Sequence, residues 1–159
     1  MTGKRGLVMG VANERSIAWG IAKALADEGA ELAFSYQGEA VGKRLQPLAD
    51  SVGSDILVDV DVTDDASMDA AFEVLADRWG SLDFVVHSSA YSDKNELTGR
   101  FVETSRANFK NSLDISCYSF VDVARRARPL MTNGGTLITL TYMGSNRVQP
   151  NYNVMGVAK

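Results

Sequence analysis

Short apolar runs that alternate with segments of helical spacing constrain this chain more than any other feature. Gly6-Leu7-Val8-Met9, Glu31 to Tyr36, Asp55 to Val60, Leu82 to His87 and Thr136 to Thr141 read as strands. Ser16 stands where an N-cap belongs, ahead of Ile17, Ile21, Ala24 and Leu25 at helical spacing, and Gly29 provides a stop. A second helix is expected over about residues 39–52, and a third carries Met68, Phe72, Leu75, Ala76 and Trp79 on one face. A polar loop from Ser92 to Arg100 precedes a long helical region, about Thr104 to Met131, which Asn133-Gly134-Gly135 ends. A further helix is beginning where the sequence stops. Parallel neighbours need long right-handed crossovers, so this alternation predicts an α/β fold, a doubly wound parallel sheet with helices on both faces. No repeat, low-complexity segment or linker divides it, and residues 1–159 read as a single domain.

Charge and rare residues exclude several function classes. Sixteen basic and 20 acidic side chains give a net charge of −4, with Lys and Arg scattered, which argues against a nucleic-acid partner. The N-terminus lacks an apolar run of signal-peptide length, and no long apolar stretch follows, so a cytoplasmic protein without a membrane partner is expected. One cysteine and one histidine cannot build a zinc site, and no metal is expected. Cys117 reads as a small buried helix residue. His87, ending an apolar strand, reads as a hydrogen-bonded structural residue and not as an acid or base.

In such a sheet, ligands bind outside the carboxyl ends of the strands where strand order reverses, so the loops after the strands hold the candidate residues. Gly10 opens a turn into a helix N-terminus whose free amides favour an anion, and Gly20 is expected to let helix and strand approach closely. The spacing departs from G-x-G-x-x-G, and alone it is a weak signal. The second strand ends at Tyr36-Gln37, where dinucleotide folds place an acid on the ribose or an arginine on a 2′-phosphate. Gln37 is neither, and with no arginine following it the reading leans to NADH. Asp61-Val62 offers either a carboxylate acceptor for an adenine amino group or a turn cap, and both readings stand open. Tyr152 and Lys159 are seven apart, about two helical turns, which returns both to one helix face. That pair is either surface decoration or, given its place after the fifth strand, a shared ligand site.

The sequence resembles the bacterial enoyl-acyl-carrier-protein reductases, divergent members of the short-chain dehydrogenase/reductase superfamily, over essentially its whole length. The resemblance rests on Gly10-Val11-Ala12 with Ser16-Ile17-Ala18, Ala33-Phe34-Ser35-Tyr36-Gln37, Asp114-Ile115-Ser116 with Tyr118-Ser119-Phe120, and Pro150 to Gly156 with Ala158-Lys159. Most of the superfamily places the lysine four residues after the tyrosine. Here Gly156 occupies that position and Lys159 follows three later, which separates enoyl reductases from ketoreductases.

That resemblance implies a Rossmann-type fold whose C-terminal strands are absent from this chain. It also implies NADH as cofactor, an enoyl chain on acyl carrier protein as substrate in fatty acid elongation, and a homotetramer. By the same resemblance Gly10, Ser16 and Ile17 contact pyrophosphate and ribose, Gln37 lies near the adenosine, and Asp61 and Val62 frame the adenine. Lys159 holds the nicotinamide ribose, Tyr152 faces the thioester carbonyl, and Tyr142 sits beside it. His87 to Ser92 matches the loop beneath the nicotinamide, which assigns Ser89 to the cofactor and Ser92 to the substrate. Ser89 stands where the family usually carries isoleucine, and Tyr91 where phenylalanine is common. The implied reaction passes a hydride to the β-carbon and leaves an enolate stabilised by Tyr152, with Lys159 expected to make that phenol more acidic. The family's chains continue past this lysine. A chain ending there would put a carboxylate on Lys159 at a fraying end, so a non-catalytic dinucleotide-binding fragment is the alternative, with another short-chain dehydrogenase the third reading.

Overall fold

A computed structural model describes residues 1–159. Five parallel strands form one sheet, β1 (Arg5–Met9), β2 (Glu31–Tyr36), β3 (Ile56–Asp59), β4 (Phe84–His87) and β5 (Thr136–Thr139), in the order β3-β2-β1-β4-β5. The chain runs outward from β1 to β3, then returns to lay β4 on the other side of β1, so strand order reverses between β1 and β4. Two-residue alternation along the strands feeds two cores. Leu7, Met9, Ala33, Val58 and Val85 pack with α3 (Asp65–Trp79) and α5 (Ser119–Ala127). Val8, Leu32, Phe34, Phe84 and Val86 pack with α1 (Ile17–Asp27) and α2 (Glu39–Ser51). Strands apolar on both faces bury enough surface to hold helices on each side, which is the expected doubly wound architecture. β3 and β5 are the edge strands, and β5 is the exception in burial, with three of its four residues exposed. No helix is long and apolar enough to cross a membrane.

Helix ends follow the sequence signals with two departures. Gly29, at φ +84°, lets its own amide reach Ala26 O at 2.8 Å and the Ala30 amide reach Leu25 O at 3.0 Å, closing the end of α1. Ser16 precedes α1, yet its hydroxyl does not cap the helix; it turns back and accepts from the Ala12 and Asn13 amides at 3.0 and 3.1 Å. Gly20 is exposed, and a Cβ there would meet nothing, so the expected close helix–strand approach does not depend on it.

The long helical region is continuous but changes pitch. α4 (Arg106–Leu113) passes through a π turn at Asp114–Tyr118 into α5, and a 3-10 turn at Arg128–Leu130 follows. Cys117 is exposed there and not buried as expected. Ser116 and Ser119 occupy the inward face of this stretch, which turns Cys117 and Tyr118 between them to the outside. A last helix, α6 (Asn153–Ala158), follows β5.

Candidate nucleotide and tyrosine-lysine site

The loops after β1 and β4 part at the strand reversal and leave a cavity of about 520 Å³ between them. Gly10 is where the two loops come into contact. At φ +83° the backbone passes so close to β4's loop that a Cβ would stand 2.2 Å from Ser88 O, so only glycine fits. Because Ser16 spends its hydroxyl on the preceding loop, the first-turn amides of α1 keep no side-chain cap. Gln37, Asp61 and Val62 line one end of the cavity, and Ser89 and Tyr91 line the other. Asp61 Oδ1 accepts from the Thr63 amide at 2.9 Å and the Thr63 hydroxyl at 2.7 Å. The Thr63 hydroxyl is the main cause that holds this carboxyl below the usual carboxylate range. Asp61 therefore caps a turn, and the same residue lines the cavity.

A second cavity, also about 520 Å³, is lined by Ile17, Ser88, Ala90, Tyr142, Tyr152 and Lys159. Ser88 and Ala90 belong to both, so one loop separates the two spaces. Tyr142 and Tyr152 pack ring to ring, centroids 4.7 Å apart and planes at 59°. Tyr152 is not on the face of a helix. It precedes α6, between Asn151 at φ +59° and Asn153 at φ +31°, and asparagine is among the residues that tolerate this left-handed region. Asn153 anchors the bend by donating from Nδ2 to Glu96 O and Thr98 O. Tyr152 and Lys159 thus flank α6 and line one cavity, not as two residues of one helix face as expected but across this bend.

Electrostatics correct one expectation. Lys159 Nζ donates to Ser89 O at 3.2 Å, and burial lowers its pKa. Tyr152 is pushed above the ordinary phenol value by burial and by the neighbouring Tyr142. Lys159 has no part in this shift, against the expected acidification, and the raised value keeps the phenol a donor.

The remaining assigned residues fall as follows. Ile17 reaches the second cavity, whereas Ser16 lines neither. Ser92 also lines neither; its hydroxyl is bound up with Asn108 and Ser112. His87 is fully buried between Thr139 and Ser119. Ser119 gives its only proton to Ile115 O at 2.6 Å, so His87 Nε2 must be the donor to Ser119 Oγ and Nδ1 the acceptor from Thr139 Oγ1. Both ring nitrogens are occupied, which is the structural role expected.

Sequence reasoning missed a polar stripe on α4 and the π turn. Asn108, Ser112, Ser116 and Ser119 are buried along one face. Asn108 accepts from the Asp93 amide and Ser116 from the Tyr91 amide, each at 2.9 Å, while Ser112 donates to Ser92. These bonds pin the loop between the cavities. The available signal was four small polar residues at helical spacing where apolar ones would serve a core.

Comparison with known proteins bears on this geometry. The sequence model of the enoyl-(acyl carrier protein) reductase family matches residues 10–159. The chain is 62% identical over its 159 residues to enoyl-[acyl-carrier-protein] reductase [NADH] 2 of Rhizobium meliloti, covering 100% of this chain and 59% of that protein. The crystal structure of FabI from Candidatus Liberibacter asiaticus superposes with a TM-score of 0.98 at 60% identity, covering 99% of this chain and 61% of the other. The Anaplasma phagocytophilum enoyl-(acyl-carrier-protein) reductase in complex with NAD gives 0.97 at 57% identity, covering 100% and 61%. The chain thus spans about three-fifths of the length of the relatives it matches. A family match that begins at the glycine cradle and runs through the tyrosine-lysine cavity places the chain in the enoyl-(acyl carrier protein) reductase family.

Proposed function

We propose that this chain binds NADH and provides the tyrosine-lysine site for reducing the trans-2 double bond of an enoyl group on acyl carrier protein, in fatty acid elongation. One observation carries the reading: Ser88 and Ala90 wall both the switch-point cavity and the cavity holding Tyr142, Tyr152 and Lys159. A dinucleotide fits the first, since the Gly10 cradle admits backbone-close contact and the uncapped amides of α1 suit a pyrophosphate. Gln37, Asp61 and Val62 would hold the adenosine end, and Ser89 and Lys159 the nicotinamide end. The bound reduced cofactor supplies the two electrons of the reduction.

The chain's own side chains do the positioning. Tyr152, kept protonated, donates a hydrogen bond to the thioester carbonyl oxygen as negative charge develops there. Tyr142 packs on its ring and limits its swing. Lys159, drawn to Ser89 O, keeps its ammonium beside the loop that both cavities share. The relatives, named as enoyl-[acyl-carrier-protein] reductases, support acyl carrier protein as the partner. Exposed Phe109, Tyr118 and Val121 on α4, the π turn and α5 support the homotetramer, and the cytoplasm is the proposed location.

The test follows NADH consumption with crotonyl and longer enoyl thioesters. Turnover that falls roughly 100-fold in Tyr152→Phe supports the reading, that being the cost of removing one oxyanion donor. NADH binding without turnover on any enoyl thioester would reduce the function to nucleotide binding, and turnover of ketones or alcohols instead would overturn it.

A further inference from the structure

Tyr152 stands on a bend that its own backbone does not hold in place. The residues on both sides of it lie at positive φ, and +31° at Asn153 falls short of the comfortable left-handed region, so neighbouring groups must hold it there. Asn153 Nδ2 makes two bonds, donating to Glu96 O at 3.1 Å and to Thr98 O at 3.2 Å. Both partners are carbonyls, so only the amide nitrogen can serve, and both of its protons are spent. Glu96 is itself fastened. Its carboxylate accepts from the Ser105 amide and the Ser105 hydroxyl, each at 2.8 Å, and Ser105 caps α4 by accepting from the Asn108 amide at 3.1 Å. Asn108 in turn holds the Asp93 amide at 2.9 Å, just past the loop that carries Ser89. One helix end therefore anchors two arms of the site, the loop between the cavities and the bend at Tyr152.

We propose that Asn153 is a positioning residue for the reduction: its side chain clips the Tyr152 bend to Glu96 and Thr98 and so fixes the phenol against the start of α4, the same helix end that fixes the Ser89 loop. The inference rests on the enoyl-reduction reading above and adds what holds its hydrogen-bond donor in place. Tyr142 and Gly144 restrain the ring alone, since a Cβ on Gly144 would strike it, whereas the position of the whole residue is set by the backbone that Asn153 holds. Asn153 lines neither the switch-point cavity nor the one that contains Lys159, so it acts on the phenol and not on the nucleotide. A shared anchor keeps the Ser89 loop and the phenol at one separation, and a misplacement of about 1 Å can cost about 100-fold in rate.

The test uses Asn153→Gly, which tolerates the positive φ and deletes both bonds. NADH consumption with a crotonyl thioester should show kcat lowered roughly 10- to 100-fold, with NADH affinity by fluorescence titration changed by less than about twofold. Carbon NMR of tyrosine labelled at Cζ reports the phenol without turnover. The Tyr152 signal, identified by its loss in Tyr152→Phe, should shift in the glycine variant and titrate nearer the ordinary phenol value as burial is relieved. Glu96→Ala leaves the bend's own residues intact and should lower kcat severalfold by the same route, which carries the test if the glycine variant folds poorly; no loss there overturns the link to α4. Wild-type kcat in Asn153→Gly overturns the proposal and leaves Asn153 a turn residue, and kcat and NADH affinity falling together overturns it in favour of a general structural role. If wild type binds NADH without turnover, the enoyl-reduction reading fails, and the Tyr152 signal alone then decides the positioning role, an unmoved one overturning it.

Discussion

Acidification should expose the protein's single histidine as a stability switch. His87 is completely buried, bonded at both ring nitrogens, and close enough to Lys159 to feel its charge. Burial first, and Lys159 second, push its pKa down from 6.5 to about 4. As pH falls below 6.5 the unfolded chain takes up a proton that the folded chain refuses. The group's contribution is therefore complete above 6.5, is lost between 6.5 and about 4, and is constant below. The gap corresponds to about 3 kcal/mol, a large part of the stability of a domain this size. Urea unfolding of wild type and His87→Gln at about pH 7, 6 and 5 measures it, because carboxylates common to both cancel in the difference. Wild type should lose about 1.2 kcal/mol per pH unit more than the variant between pH 6 and 5. Imidazole NMR needs no assignment with one histidine, and Lys159→Met should raise the observed value while leaving it below 6.5. A histidine that titrates near 6.5 in the folded protein, or parallel stability slopes, would refute the reasoning.

Other perturbations test separate parts of the site. Gly10→Ala forces a side chain against Ser88 O at a positive φ and should cost about 2–4 kcal/mol in chemical denaturation, with NADH affinity falling too; a neutral effect contradicts the cradle. Ser116→Ala removes the acceptor of the Tyr91 amide, and hydrogen exchange should quicken across residues 88–93 while α1 and α2 stay protected, at a cost of about 1–3 kcal/mol. Uniform acceleration would show a general structural role instead. Thr63→Val should raise the Asp61 pKa, read by carboxyl NMR, because the Thr63 hydroxyl is its main stabiliser. Asp61's contribution to stability is present above 3.8 and lost as pH falls further, and this loss should shrink in that variant.

Much of the molecule was legible along the chain. The strands lie within a residue or two of their expected ends, and Gly29 closes α1 as read. Of the residues expected in the loops after β1, β4 and β5, Gly10, Ser89, Tyr142, Tyr152 and Lys159 line the cavities, and Ser16 and Ser92 do not. The misreadings share a cause. Cys117 was placed indoors by residue type, whereas the burial of Ser116 and Ser119 sets which way it faces. Ser16 stands at a cap position, yet its hydroxyl accepts from amides of its own loop.

Local periodicity belongs to the amino-acid order, since side chains alternate every two residues in a strand and every 3.6 in a helix whatever surrounds them. The α/β fold class follows from that alone, whereas the meeting of Tyr152 with Lys159 also needs the bend at Asn151 and Asn153. Depth of burial and lateral register are sums over distant parts of the chain. They raise the pKa of Tyr152 and lower that of His87, and bring Gly10 against Ser88. Desolvation and close contact act through space, so no reading along the chain contains them until the strands are laid side by side.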